Sequence, residues 1–142
     1  MALPVPQAES IVNWVLLASA ARTTSSNSDP WQVDYYNAAE ILLDVTALTG
    51  TSSTLNVYVQ RLRPDDTTWD AIAQFTQVTT STSAQELDFV TGGNLLHSTT
   101  SIAAGTIRTV NFGSNWRILW EVGGSQTEAT FAVYGNFRKR AA

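Results

Sequence analysis

EILLDVTALTGTSSTLNVYVQRL, residues 40–62, decides the fold. Ile41, Leu43, Val45 and Ala47 share one parity in its first half; Leu55, Val57 and Val59 share one in its second. Side chains of a strand alternate between two faces, so each half presents an apolar stripe to a core. Between the halves, Thr49-Gly50-Thr51-Ser52-Ser53 supplies a glycine for unusual backbone angles and hydroxyls for local hydrogen bonds. The pattern predicts a β-hairpin with a loop longer than the two-residue ideal.

The same alternation closes the chain. Trp116, Ile118, Trp120 and Val122 alternate with polar or smaller partners, Gly123-Gly124-Ser125-Gln126-Thr127 turns, and Phe131, Val133 and Phe137 share a parity opposite to Tyr134. This predicts a second hairpin. Further strands are expected over residues 11–22, 31–36, 69–78, 85–90 and 105–112, separated by polar turns such as TTSSNSD, RPDDTT and TTSTSA. Residues 91–104 are the least regular and hold Gly92-Gly93 and the only histidine, His97. No pattern of 3.6 period interrupts the strands. About eight strands at this spacing give an all-β class, an antiparallel sandwich or a barrel. The chain divides into an extended arm, residues 1–10, and one domain, residues 11–142.

Composition narrows the chemistry. The 142 residues suffice for one core, and the absence of cysteine removes disulfides and thiolate metal sites. With a net charge of −4 and only 14% charged residues, solubility rests on Ser, Thr, Asn and Gln. An acidic balance is a poor match for nucleic acid, which needs cations against its phosphates. Arg138-Lys139-Arg140 reads as a solvated tail. No apolar run reaches the roughly 20 residues of a membrane helix, and the sequence MALPVP lacks the basic start of a secretory signal. Neither nucleic acid nor membrane is an expected partner.

No catalytic constellation stands out. His97 is a lone imidazole without a nucleophile elbow, and one histidine without cysteine is too little for zinc. Asp65, Asp66 and Asp70 match no calcium-loop spacing and suit turn chemistry. Gly92-Gly93 and Gly123-Gly124 lie in no phosphate-binding motif. Catalytic, cofactor-binding and metal residues are therefore expected to be none, and the chain is not expected to be an enzyme. Trp116 and Trp120, in step with Ile118, suit core or interface positions better than a sugar-stacking platform.

The arm is the main candidate for partner binding. Pro4 and Pro6 favour an extended or polyproline conformation, while Leu3 and Val5 are apolar outside any periodic element. It is either a solvated terminus or a strap that buries those side chains on a neighbour. Leu3, Pro4, Val5, Pro6, Ile11 and Trp14 are the candidate partner-binding residues, with Trp14 where arm meets body.

Three runs carry a family likeness: LDVTALTGTSSTLNVYVQ (residues 43–60), TWDAIAQFTQVT (68–79) and NWRILWEVGGSQTEATFAV (115–133). Together they resemble small β-sandwich structural proteins of tailed bacteriophages, over roughly residues 16–133. That group runs LDVT through a Gly-Thr/Ser hinge to TLxVxxQ, then a TWxxxxxFTQ strand, then a closing xRxxWxxGG…xxTFxV hairpin. The hinge here lacks a proline expected of the group, and the arm is outside the motif. The resemblance implies a jelly-roll-like sandwich and a capsid decoration (cement) protein. It further implies a homotrimer that binds the major capsid protein on the outside of an icosahedral head, with assembly in the host cytoplasm. Alternatives are a tail, neck or fibre structural protein, or a carbohydrate-binding module, which would display exposed, coplanar aromatic rings.

Overall fold

A computed structural model describes residues 10–90, 102–107 and 112–139. Leu3, Pro4, Val5 and Pro6, Gly92-Gly93, His97, Arg140 and residues 108–111 of one expected strand lie outside them. Among the described residues the strands are β1 (Ser10–Arg22), β2 (Ser26–Asn27), β3 (Trp31–Gln32), β4 (Ala38–Leu62), β5 (Trp69–Gln74), β6 (Ser83–Val90), β7 (Thr106–Ile107) and β8 (Asn115–Lys139). All pairings are antiparallel, and no helix occurs among the described residues.

Two strands of 25 residues, β4 and β8, carry the architecture. They pair with each other from Ala38↔Arg138 to Arg61↔Trp116. This corrects the hairpin expectation at both places. Residues 40–48 do not turn back onto 55–62; both runs find their hydrogen-bond partners on β8, one after the other. The cause lies in the hinges. Gly50 (φ 116°) and Ser52 (φ 51°) bend β4, and Gly124 (φ 98°) and Gln126 (φ 53°) bend β8 beside them. A β-carbon on Gly50 would meet the carbonyl oxygens of Gln126 and Ser125 at 2.8 Å, and one on Gly124 would meet that of Ser52 at 2.6 Å. Each glycine thus lets its strand lie against the other's hinge. The Thr127 hydroxyl donates to the Gly123 carbonyl (2.7 Å), and the Ser53 hydroxyl donates to that of Thr49 (2.8 Å), so hinge carbonyls released from the ladder are satisfied.

The doubled bend makes two layers. One has the order β1, second half of β8, first half of β4, β6; the other has β2 and β3, first half of β8, second half of β4, β5, β7. With the half-strands counted separately, β2–β3 as one and the two-residue β7 at the edge left out of the count, the chain order reads 1-8-3-6 in one layer and 2-7-4-5 in the other. That is the double Greek key of a jelly roll.

The core lies between the layers. Ile41, Leu43 and Val45 meet Leu55, Val57 and Val59 in one cluster with Trp116, Ile118, Phe131, Val133 and Phe137, all fully buried. The parity read from the sequence holds in each half. A bulge between Val45 and Ala47 moves the inward position to Leu48 and leaves Ala47 half-buried. Over β5 and the residue after it, period-two alternation would bury Ala71, Ala73 and Phe75; Ala73 and Phe75 are buried, but Ala71 is half-buried, whereas Ile72 on the other parity is 1% exposed. A register shift between Val59 and Gln60 accompanies the change. The strand expected over 31–36 ends at Gln32, because the Tyr36 N–H donates to the Val33 carbonyl and closes a turn.

Candidate interaction surface

Strand β1 pairs only with β8, so it forms an edge of its layer among the described residues. Val12, Trp14 and Leu16 pack against the core, while Ile11, Asn13 and Val15 face outward. Ile11 and Val15 are 54% and 63% exposed, unusual for aliphatic side chains on a strand that could have used polar ones. The register extends this apolar character across the layer: Val15 lies opposite Tyr134, and Tyr134 opposite Leu42. The next row is polar, Asn13 opposite Asn136, joined at 2.6 Å, and Asn136 opposite Glu40. The face is therefore apolar at the β1 edge and acidic towards β6, where Glu40, Glu86 and Asp88 bring carboxylate oxygens within 4.8 Å of one another. Sequence reading missed this trio, because Glu40 and Glu86 are far apart until the β4–β6 register aligns them. Glu40 also lies 3.8 Å from the Arg138 guanidinium.

The far end of β1 is closed by its own last residue. Register shifts between Val15 and Leu17 and between Leu17 and Ala20 interrupt the ladder and release carbonyls. The Arg22 guanidinium donates to the carbonyls of Ala18 (2.8 Å), Ala20 (3.1 Å) and Phe131 (2.7 Å). It also stacks over the rings of Phe131 and Trp120, at 4.5 and 5.2 Å. Partial burial lowers its pKa from the usual arginine value.

At the other end, next to the start of β1, an open cleft of about 690 Å³ is lined by Trp14, Trp31, Gln32, Asp34, Tyr35 and Tyr36. Its floor rests on Phe137, whose ring lies 5.0 Å from Trp14, 5.7 Å from Tyr36 and 6.4 Å from Trp31. Trp14 meets Tyr36 edge-on at 88°, and Tyr35 meets Tyr36 at 90°. These perpendicular pairs make a ridged cleft rather than the coplanar platform expected of a sugar-stacking module. The buried Trp31 indole N–H has no acceptor among the described residues. The signal for the cleft was the aromatic run around Asp34 and Asn37, both turn formers, which a strand reading of residues 31–36 concealed.

The other candidates resolve as follows. Ile11 and Trp14 sit at the β1 edge and the cleft respectively. Trp116 and Trp120 are core residues, and the Trp116 indole donates to the Phe112 carbonyl at 2.7 Å. Trp14 and Trp31 are half-buried in the cleft, and the most exposed aromatics among the described residues are tyrosines, Tyr35 and Tyr134. Asp65 performs turn chemistry: it accepts from the Thr67 and Thr68 amides and the Thr68 hydroxyl, which holds its carboxyl down at about 2. Asp70 is 4% exposed and accepts the Arg63 guanidinium at 2.8–2.9 Å. Hydrogen bonding and charge from Asp70 raise the Arg63 pKa. Asp65 and Asp70 thus spend their oxygens on the chain itself.

No protein-family model and no curated protein matches the chain. Among solved structures, its whole length is similar to part of a chain in the structure of infectious bursal disease virus Gx strain, with 10% identity and a TM-score of 0.48. The chain spans 37% of that chain's length.

Proposed function

We propose that the chain is a non-enzymatic structural protein of a tailed-phage virion, a decoration protein that binds the outside of the head as a homotrimer and stabilises it. The observation that carries this reading is the apolar outer face at the β1 edge, Ile11, Val15, Tyr134 and Leu42, on a jelly-roll body. A strand edge unpaired among the described residues, with exposed aliphatic side chains, is a liability for a protein that stays alone and a docking surface for one that assembles. The phage-like motifs supply the class of partner. They build the central strands: residues 43–60 lie within β4 and 115–133 within β8. The major capsid protein is the partner this reading assigns to the β1 face. Multivalent attachment by a trimer multiplies modest single-face contacts through effective concentration.

The test is co-sedimentation of the purified chain with heads that lack it. Ile11→Glu/Val15→Glu should keep the fold by circular dichroism and lose binding. A variant that binds heads as well as the parent removes the β1 face from the interface, and a parent that binds no head removes the decoration role.

A further inference from the structure

We propose that the aromatic cleft of one copy receives the Leu3-Pro4-Val5-Pro6 segment of a second copy. This deepens the self-association part of the reading above and rests on it. The chemistry matches from both sides. Alternating apolar and proline residues favour the polyproline conformation, which has no internal hydrogen bonds and leaves its carbonyls free. Grooves ridged by Trp and Tyr are what such segments dock into, since their fixed φ angles lower the entropy lost on binding. The cleft offers Trp14, Trp31, Tyr35 and Tyr36 as ridges.

Reach and direction select a second copy over the same chain. The cleft opens where β1 begins: the Asn37 amide donates to the Arg138 carbonyl at 3.0 Å, and Arg138 lies opposite Ile11. Pro6 precedes Ser10 by four residue steps, a span of at most about 14 Å. To return to its own Trp14, four residues further along β1, the chain would have to reverse sharply within Gln7-Ala8-Glu9-Ser10. Its one turn-forming residue, Ser10, is already paired with Lys139 in β1, which leaves Gln7-Ala8-Glu9 without Gly, Pro, Asn, Asp or Ser to make the reversal. An arm that continues outward from β1 reaches a neighbour instead. Arm-into-cleft is a head-to-tail contact, in which each copy gives one arm and accepts one; such contacts close into rings when the rotation between copies closes and run on as filaments when it does not.

The test uses the purified full chain, with no heads present, so that its outcome is separate from capsid binding. A photoreactive benzophenone side chain is placed at Val5 in a mixture of isotopically heavy and light chains. Cross-links between heavy and light chains that map to residues 31–36 or Trp14 are expected. Cross-links confined to single chains, or mapped to other surfaces, overturn the proposal. A second arm pairs a chain lacking residues 1–9, which keeps its cleft, with a full-length Tyr35→Arg chain, which keeps its arm. The mixture should form a complex that neither forms alone, with association of either alone weakened about tenfold or more. Unchanged association of the chain lacking residues 1–9 also overturns it.

Discussion

Alanine at Gly124 should cost the fold about 4 kcal/mol. Two independent effects add. The backbone there sits at φ 98°, outside the regions open to residues with a β-carbon, and holding such a residue there costs about 1–3 kcal/mol. The new β-carbon would also meet the Ser52 carbonyl oxygen at 2.6 Å, the Thr51 carbonyl oxygen at 2.8 Å and the Ser53 Cα at 2.9 Å. All three are backbone atoms of the neighbouring hinge and cannot rotate away, so overpacking contributes about 1–3 kcal/mol more. The control is next door. Gly123 has no positive φ, and the nearest atom to its virtual β-carbon is the Thr54 hydroxyl, which can turn. Gly123→Ala should cost less than about 1 kcal/mol. Urea unfolding followed by tryptophan fluorescence measures both, with the m-value checked for constancy. Gly50→Ala should resemble Gly124→Ala, and the double variant should cost less than the sum, because either change alone already parts the two hinges. Equal stabilities of the Gly123→Ala and Gly124→Ala chains would refute the idea that the paired hinges create the two layers.

Other changes test other parts of the molecule. Arg22→Ala should destabilise by about 1–2 kcal/mol in the same assay, since it removes a charged donor from the partly buried Phe131 carbonyl and from the exposed Ala18 and Ala20 carbonyls; Arg22→Lys should restore little, because an ammonium lacks the planar fork that reaches three acceptors. Trp116→Phe should cost about 2–4 kcal/mol, from the space left in a fully buried site and the loss of the donor to the Phe112 carbonyl. The Asp65 carboxyl, depressed to about 2 from 3.8, contributes stability above about pH 4 that is lost as pH falls towards 2. Thermal melts of Asp65→Asn should therefore lie below the parent at pH 7 and converge with it near pH 2; a constant gap would contradict this.

The sequence was most legible where one physical rule acted alone. Period-two alternation placed Ile41, Leu43, Val45, Leu55, Val57 and Val59 in the core, where all six lie. It could not say which strand each run would pair with. A glycine and hydroxyl-rich hinge reads the same whether the chain turns back or bends onward, and only the matching hinge in β8 distinguishes the two. The surface followed the same division. Ile11 was singled out for its position beside the arm, and the structure exposes it; Tyr134 and Leu42 joined Val15, on the same face of β1, only through register. The cleft was hidden because Tyr35 and Tyr36 sit in a turn that alternation mistook for a strand.

The decoration role is tested most directly by an electron-microscopy map of the particle that contains this chain. The expected result is three jelly-roll bodies at each three-fold and quasi-three-fold position on the outside of the head, with the Ile11–Val15 edge against the major capsid protein. Density for the chain confined to the tail or neck, or its absence from the outer shell, would contradict it.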